Sequence, residues 1–205
     1  MKPGCAHYQG YLDAAAQDDL VREIRQLLED APLFVPTMPR TGKPFSVRMT
    51  NCGALGWVSD AAGGYRYQPT HPVTGRPWPA MPAILRQIWR AVAPEAQAPE
   101  ACLVNYYAPG TRMGSHRDAD EEDTSAPVVS VSLGDAAAFH VGGCDRKDAK
   151  ERLRLVSGDV FVLGGASRLA YHGIDRVYAG TSNLLARHGF PEGGRINLTL
   201  RRVRR

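Results

Sequence analysis

From Ala101 onward the chain is cut into short strand-like runs by glycine and proline, and this narrows the folds open to it. CLVNYY is stopped by Ala108-Pro109-Gly110, VVSVSL by Gly134-Asp135 and AAFHV by Gly142-Gly143. RLRLV and DVFVL are separated by Ser157-Gly158, a two-residue hairpin signal, and RINLTLRRV closes the chain. Many short strands with such breakers argue for a sandwich or jelly roll.

The first half reads differently. Residues 14–29 place Leu20, Val21, Ile24, Leu27 and Leu28 on one stripe at helical spacing, and Pro32 stops that helix. Residues 83–93 form a second amphipathic helix with Ile84, Leu85, Ile88, Trp89 and Val92 on its buried side and Pro82 at its start. Between them, residues 32–82 are rich in Pro and Gly and carry Trp57, Tyr65, Tyr67 and Trp78, which suits short strands and loops serving a site. Both helices are expected to pack outside the β structure.

Bulk properties bound the answer loosely. A chain of 205 residues suits one domain with a substantial core. A formal charge of +4 permits contact with a polyanion without establishing it. Cys5, Cys52, Cys102 and Cys144 are far apart, so neither a zinc knuckle nor a disulfide scaffold is indicated, and reduced thiols in the cytoplasm are the simplest reading. No apolar run suits a signal peptide or reaches the ~20 residues needed to span a bilayer.

Two stretches carry chemistry. In His116-Arg117-Asp118 the imidazole and the carboxylate share one side of an extended segment, and His172 lies downstream in SRLAYHGI. Two histidines and a carboxylate make the facial triad of non-haem Fe(II) oxygenases, although H-x-D alone is a weak signal. The second stretch is RINLTLR. Ile196, Leu198 and Leu200 share one face; Arg195, Asn197, Thr199 and Arg201 share the other, with no acid among them. That face is either solvated or the wall of an anion pocket. A keto diacid bound to iron needs a cation for its far carboxylate, and the planar fork of arginine suits it.

The run from Ala101 to Arg201 resembles the AlkB family of Fe(II)- and 2-oxoglutarate-dependent nucleic-acid dealkylases. NYYAPG, HRDADE, PVVSVSLG, the GG of HVGGCDR, GDVFVLGGASR, YHGI and RINLTLR occur in family order. MTNCGALGW, GYRY and PVTGRPWPAMP resemble the nucleotide-recognition lid of the bacterial DNA-repair branch, which extends the likeness over nearly the whole chain. The resemblance implies an α+β, mainly β protein: one dioxygenase domain over 1–205, with N-terminal helices and the lid in 1–100 and a double-stranded β-helix (jelly roll) in 101–205. It implies Fe(II) ligands at His116, Asp118 and His172. It implies 2-oxoglutarate contacts at Arg195 and Arg201, for its two carboxylates, and at Asn105, Tyr107 and Asn197, with dioxygen as the other co-substrate. It implies substrate contacts at Trp57, stacking on the damaged base, at Tyr65 on the phosphate backbone, at Asp120 near the base edge and at Arg146 on the pocket rim.

The activity so implied is oxidative removal of N-alkyl groups, of the 1-methyladenine and 3-methylcytosine type, from single- or double-stranded DNA, with RNA as a further substrate, by a monomer with no membrane association. The alternatives are an oxygenase of RNA or of a protein side chain, and a catalytically dead jelly roll that binds nucleic acid. The remaining acids of the DADEED run are expected to face solvent, and His7, His71, His140 and His188 to be structural or solvated. Leu163 and His140 depart from the family pattern, which puts the packing near the base pocket, and so the preference among lesions, in question.

Overall fold

The computed structural model describes residues 1–205 and contains three antiparallel sheets. The largest has six strands in the order β1 (Cys5–Tyr8), β10 (Val160–Leu163), β7 (Val128–Gly134), β12 (Arg195–Arg201), β5 (Ala101–Tyr107) and β2 (Arg48–Gly53). A four-stranded sheet runs β6 (Met113–His116), β11 (His172–Val177), β8 (Ala137–Val141) and β9 (Glu151–Leu155). A two-stranded hairpin joins β3 (Gly56–Asp60) to β4 (Gly64–Gln68).

The two large sheets face each other. Leu103, Phe161 and Leu163 from one pack with Phe139, Val141 and Ile174 from the other in a shared apolar cluster. The outer face of the six-stranded sheet is covered by α1 (Ala14–Asp30) and α2 (Ala83–Val92). Asp13 caps α1, its carboxylate accepting from the Ala16 amide at 2.8 Å, and Pro32 follows the end of the helix. Pro82 precedes the first turn of α2. A short helix, α3 (Leu184–Arg187), leans on α1 through Arg187 and His188, which reach Asp18 at 3.2 and 2.6 Å. The jelly roll, the two outer helices and their placement agree with the expectation.

β12 lies between β7 and β5, paired to both over nearly its whole length. Its period-two pattern is therefore read on two different surfaces. Ile196, Leu198 and Leu200 enter the cluster containing Leu20 and Ile24 of α1 and Leu85, Ile88 and Trp89 of α2. Arg195, Asn197, Thr199 and Arg201 point the other way, into the space between the sheets, and the three of them other than Asn197 are buried. The solvated alternative for this face is excluded.

One expectation fails. RLRLV and DVFVL do not form a hairpin: β9 pairs with β8, and β10 pairs with β1 and β7. Ser157-Gly158 turns the chain from one sheet to the other. Gly158 adopts φ +88°, and a Cβ there would lie 2.6 Å from the Leu12 carbonyl. Its amide donates to the Ser132 carbonyl at 2.8 Å, across the corner. The same small residues that close a hairpin also serve a corner between sheets, so the local signal cannot distinguish them.

The orientation of β12 has a measurable consequence. Leu198→Ala removes a fully buried side chain from the sheet–helix layer and is expected to lower the unfolding free energy by about 2–5 kcal/mol. Urea denaturation followed by circular dichroism checks this; a loss near zero would mean the outer face is loosely packed.

Candidate active site

β6 and β11 are neighbours in the four-stranded sheet, and His116 and His172 are Cα partners across the ladder. This places the imidazoles side by side, ring centroids 4.5 Å apart. Asp118 follows two residues after His116, where β6 has ended, and its carboxylate turns back between them. Its Oδ1 is 3.9 Å from Nε2 of His116 and its Oδ2 is 3.8 Å from Nε2 of His172. The ligand atoms of all three residues lie within 4.8 Å of one another.

The tautomers follow from the partners. Nδ1 of His116 faces the Gly114 carbonyl at 2.9 Å, and Nδ1 of His172 faces the Ala170 carbonyl at 3.0 Å. A carbonyl only accepts, so each Nδ1 carries the hydrogen and each Nε2 presents a lone pair. Oδ2 of Asp118 is buried and has no partner in the protein. Two imidazole lone pairs from β6 and β11 and one orphaned carboxylate oxygen from the loop after β6 are a donor set suited to Fe(II).

Arg201 reaches this centre from β12. Its Nη2 donates to Asp118 Oδ1 at 2.8 Å, and its Nη1 to Glu121 Oε1 at 3.0 Å and to the Tyr67 hydroxyl at 2.9 Å. Burial alone would raise the Asp118 carboxyl, but Arg201, followed by His172, His116 and Arg168, outweighs it and holds Asp118 well below the usual carboxylate range.

Arg195, at the other end of β12, has a different environment. It is fully buried, and its donors meet only the Ser132 hydroxyl at 2.7 Å and the Asp135 carbonyl at 3.4 Å. Neither is a carboxylate, and its Nε has no partner. Burial pushes its pKa down to about 10, against the pull of Tyr107 and Asp159, which still leaves it charged at neutral pH. Between the two arginines, Asn197 Nδ2 donates to Ser130 Oγ at 2.5 Å and its Oδ1 accepts from Thr199 at 2.9 Å. Asn105, the Cα partner of Asn197, leaves its buried Oδ1 free, and the Tyr107 hydroxyl has only the Met113 sulfur, at 3.5 Å.

The mouth is formed by the β3–β4 hairpin and two loops. Asn51 holds Trp57 by its backbone, accepting from the amide and donating to the carbonyl, each at 3.0 Å. The Trp57 indole donates to Asp120 Oδ2 at 2.8 Å and its ring stacks on Tyr65, centroids 5.6 Å apart. Tyr65 is half exposed. Arg117 and Arg146 both lie over the Tyr171 ring, at 5.7 and 5.8 Å, and Arg146 also reaches the Ser115 carbonyl at 3.4 Å.

Every residue singled out in the sequence lines one cavity of about 580 Å3: the His-Asp-His set, both arginines, Asn105, Tyr107, Asn197, Trp57, Tyr65, Asp120 and Arg146. Leu163 lines it too; His140 does not. His140 instead pairs with Asp175 at 2.8 Å. His7, His71 and His188 likewise bond Asp159, the Pro32 carbonyl and Asp18.

Three residues near the centre were not anticipated. Glu121 was expected to face solvent with the rest of its acidic run, but its side chain is fully buried against Arg168 and Arg201. Arg168 had no sequence signal. Tyr67 had one: it is two residues from Tyr65 and therefore shares its strand face; the structure adds that it is the Cα partner of Trp57.

Burial, reinforced by His116, lowers the His172 imidazole to about 4 from an ordinary 6.5. The unfolded chain takes up this proton near 6.5; the folded, metal-free protein does so only near 4. The stability conferred is present above the upper value and is lost as pH falls toward the lower one. The urea midpoint of metal-free protein is expected to drop from about pH 7.5 to about pH 5, and His172→Gln to flatten the dependence. An unchanged wild-type midpoint would show that His172 is not a buried neutral imidazole.

Comparison with known proteins agrees with this geometry. Residues 4–201 match the 2OG-Fe(II) oxygenase superfamily model. The chain is 51% identical over 202 residues to an alpha-ketoglutarate-dependent dioxygenase AlkB homolog of Caulobacter vibrioides, covering 98% of this chain and 89% of that protein. It is 44% identical over 193 residues to the alpha-ketoglutarate-dependent dioxygenase AlkB of Escherichia coli, covering 92% and 85%. The solved structure of OsALKBH1 superposes with a TM-score of 0.85 at 30% identity, covering 98% of each chain. Fe(II), 2-oxoglutarate and dioxygen are the cofactor and co-substrates of enzymes of this kind. With the His-Asp-His set and two inward-facing arginines already in place, these matches establish that the chain belongs to the 2OG-Fe(II) oxygenase superfamily and, within it, to the AlkB family.

Proposed function

We propose that this protein oxidatively removes N-alkyl groups from bases of the 1-methyladenine and 3-methylcytosine type in DNA, single- or double-stranded, and in RNA. Succinate, carbon dioxide and formaldehyde leave as products. One observation carries the reading: Arg195 is a fully buried cation whose donors meet no protein carboxylate, on the wall of the cavity that contains the His-Asp-His set. An uncompensated buried charge is costly, so an anion belongs beside it.

His116, Asp118 and His172 would hold Fe(II), which supplies the means to oxidise a C–H bond with dioxygen at the expense of 2-oxoglutarate. Arg201, beside Asp118, takes the carboxylate nearest the metal; Arg195 takes the far one. Asn105, with its free Oδ1, Tyr107, whose hydroxyl meets only the Met113 sulfur, and Asn197 complete the co-substrate wall. Such a set orients the keto acid without taking part in bond making.

The substrate enters past Trp57. A methylated adenine or cytosine is cationic, so an aromatic face and a carboxylate select it over its neutral parent. Trp57 supplies the face and Asp120, already bonded to the indole, the carboxylate. A base within a duplex must first be flipped out, which lost pairing on the damaged edge makes easier. Tyr65 and Arg146 at the mouth hold phosphates without reading sequence. We also propose a monomer acting in the cytoplasm; all four cysteines are free, which suits a reducing compartment, and no helix is long and apolar enough to cross a membrane.

Arg195→Ala is expected to raise the 2-oxoglutarate requirement by about 10–100-fold, the cost of a lost charge-assisted contact. Fe(II)-dependent succinate release against 2-oxoglutarate concentration measures it, and an unchanged requirement would remove Arg195 from the co-substrate wall. Trp57→Ala is expected to raise KM for a methylated oligonucleotide by about 5–150-fold, as loss of one base–aromatic stack does. An unchanged KM would return Trp57 to the core of the hairpin.

A further inference from the structure

Behind the cavity wall lies a group of buried polar side chains that the scheme above leaves idle. The Glu121 carboxylate has both oxygens engaged. Oε1 accepts from Arg201 Nη1 at 3.0 Å and from the Tyr67 hydroxyl; Oε2 accepts from Arg168 Nη2 at 3.0 Å. Arg168 gives its other donors to main chain, Nε to the Ala126 carbonyl at 2.7 Å and Nη1 to the Asp118 carbonyl at 2.8 Å. It thereby fastens both ends of the loop that runs from Asp118 to Ala126.

The Tyr67 hydroxyl joins two elements. It accepts from Arg201 and donates to Glu121, so a single oxygen on β4 ties the hairpin to β12 and to the metal-ligand loop. Burial, first of all, holds this phenol far above the ordinary tyrosine range, so it keeps its proton at neutral pH. Trp57 makes a parallel tie to the neighbouring loop residue, Asp120. The hairpin is thus bonded at two points to consecutive residues of the segment that carries Asp118.

Arginine has many rotamers and strong directional demands on whatever it binds. Arg201 is confined because its Nη1 sits between Glu121 and Tyr67 while its Nη2 rests on Asp118. Without the first two, only the carboxylate that also faces the two histidines would orient it. We propose that Glu121 and Tyr67 are positioning residues for Arg201, fixing its guanidinium plane to receive the metal-side carboxylate of the keto acid, and that through Tyr67 this orientation depends on the seating of the β3–β4 hairpin. The proposal rests on the assignment of Arg201 to 2-oxoglutarate made above.

The test is binding of 2-oxoglutarate to the full-length protein loaded with Co(II), followed by calorimetry, with Co(II) affinity and the urea midpoint measured alongside. Tyr67→Phe deletes one oxygen and keeps the shape. It is expected to weaken 2-oxoglutarate binding by roughly 5–50-fold, less than the roughly 10–150-fold of a direct hydrogen bond to a charged group because the lost bond acts through Arg201, and to leave Co(II) affinity unchanged. In the iron-loaded enzyme the same variant raises KM for 2-oxoglutarate more than it lowers kcat. Glu121→Gln, which keeps the shape but not the charge, weakens keto-acid binding in the same direction. A lowered urea midpoint with 2-oxoglutarate affinity intact in both variants would make the group a purely structural tie and overturn the proposal. Failure of the wild-type, Co(II)-loaded protein to bind 2-oxoglutarate would instead overturn the Arg201 assignment, and the proposal with it.

Discussion

The contact between Arg201 and Asp118 is the interaction on which the site depends. A carboxylate placed between two histidines and sealed from water is costly, and burial on its own would favour its protonated form. The guanidinium at 2.8 Å reverses this and keeps Asp118 anionic, which a metal ligand must be. Arg201 in turn is neutralised by Glu121, and Glu121 by Arg168. Two cations and two anions therefore close a balanced set around the ligand loop. Arg195 falls outside it, at the far end of the same strand, and with no carboxylate in ion-pair contact it makes that end of the cavity attractive to a dianion.

A single strand carries both arginines because β12 is sandwiched in two directions. Its hydrogen bonds to β7 and β5 fix its register, and its apolar face against α1 and α2 fixes which way the alternate residues point. A slip of one residue would bury guanidiniums among leucines and turn leucines into the cavity. Register and chemistry are enforced by the same packing, so the outer helices contribute to the site without touching it.

Much of this was legible beforehand, and the reasons differ by residue. Strand alternation in RINLTLR separates an apolar face from a cationic one, but period alone left the cationic face either solvated or inward; the pairing of β12 on both sides and the helices over its apolar face decide it. His116 and Asp118 share a local spacing, whereas His172 gained its meaning from the family resemblance and its position from the β6–β11 ladder. Glu121 was misread because an acidic run looks the same whether its members face water or a buried guanidinium; burial is a property of the fold, not of composition. Arg168 lies some fifty positions from its partners, beyond any local pattern. The Ser157-Gly158 turn was assigned to a hairpin because turn chemistry reports a change of direction but not which sheet receives the chain.

The His-Asp-His set is also unequal in its contact with water. Asp118 and His172 are nearly dry, while the His116 side chain, on the edge strand β6, keeps about 37% of its surface exposed. One imidazole therefore stands at the wet rim and two donors stand inside.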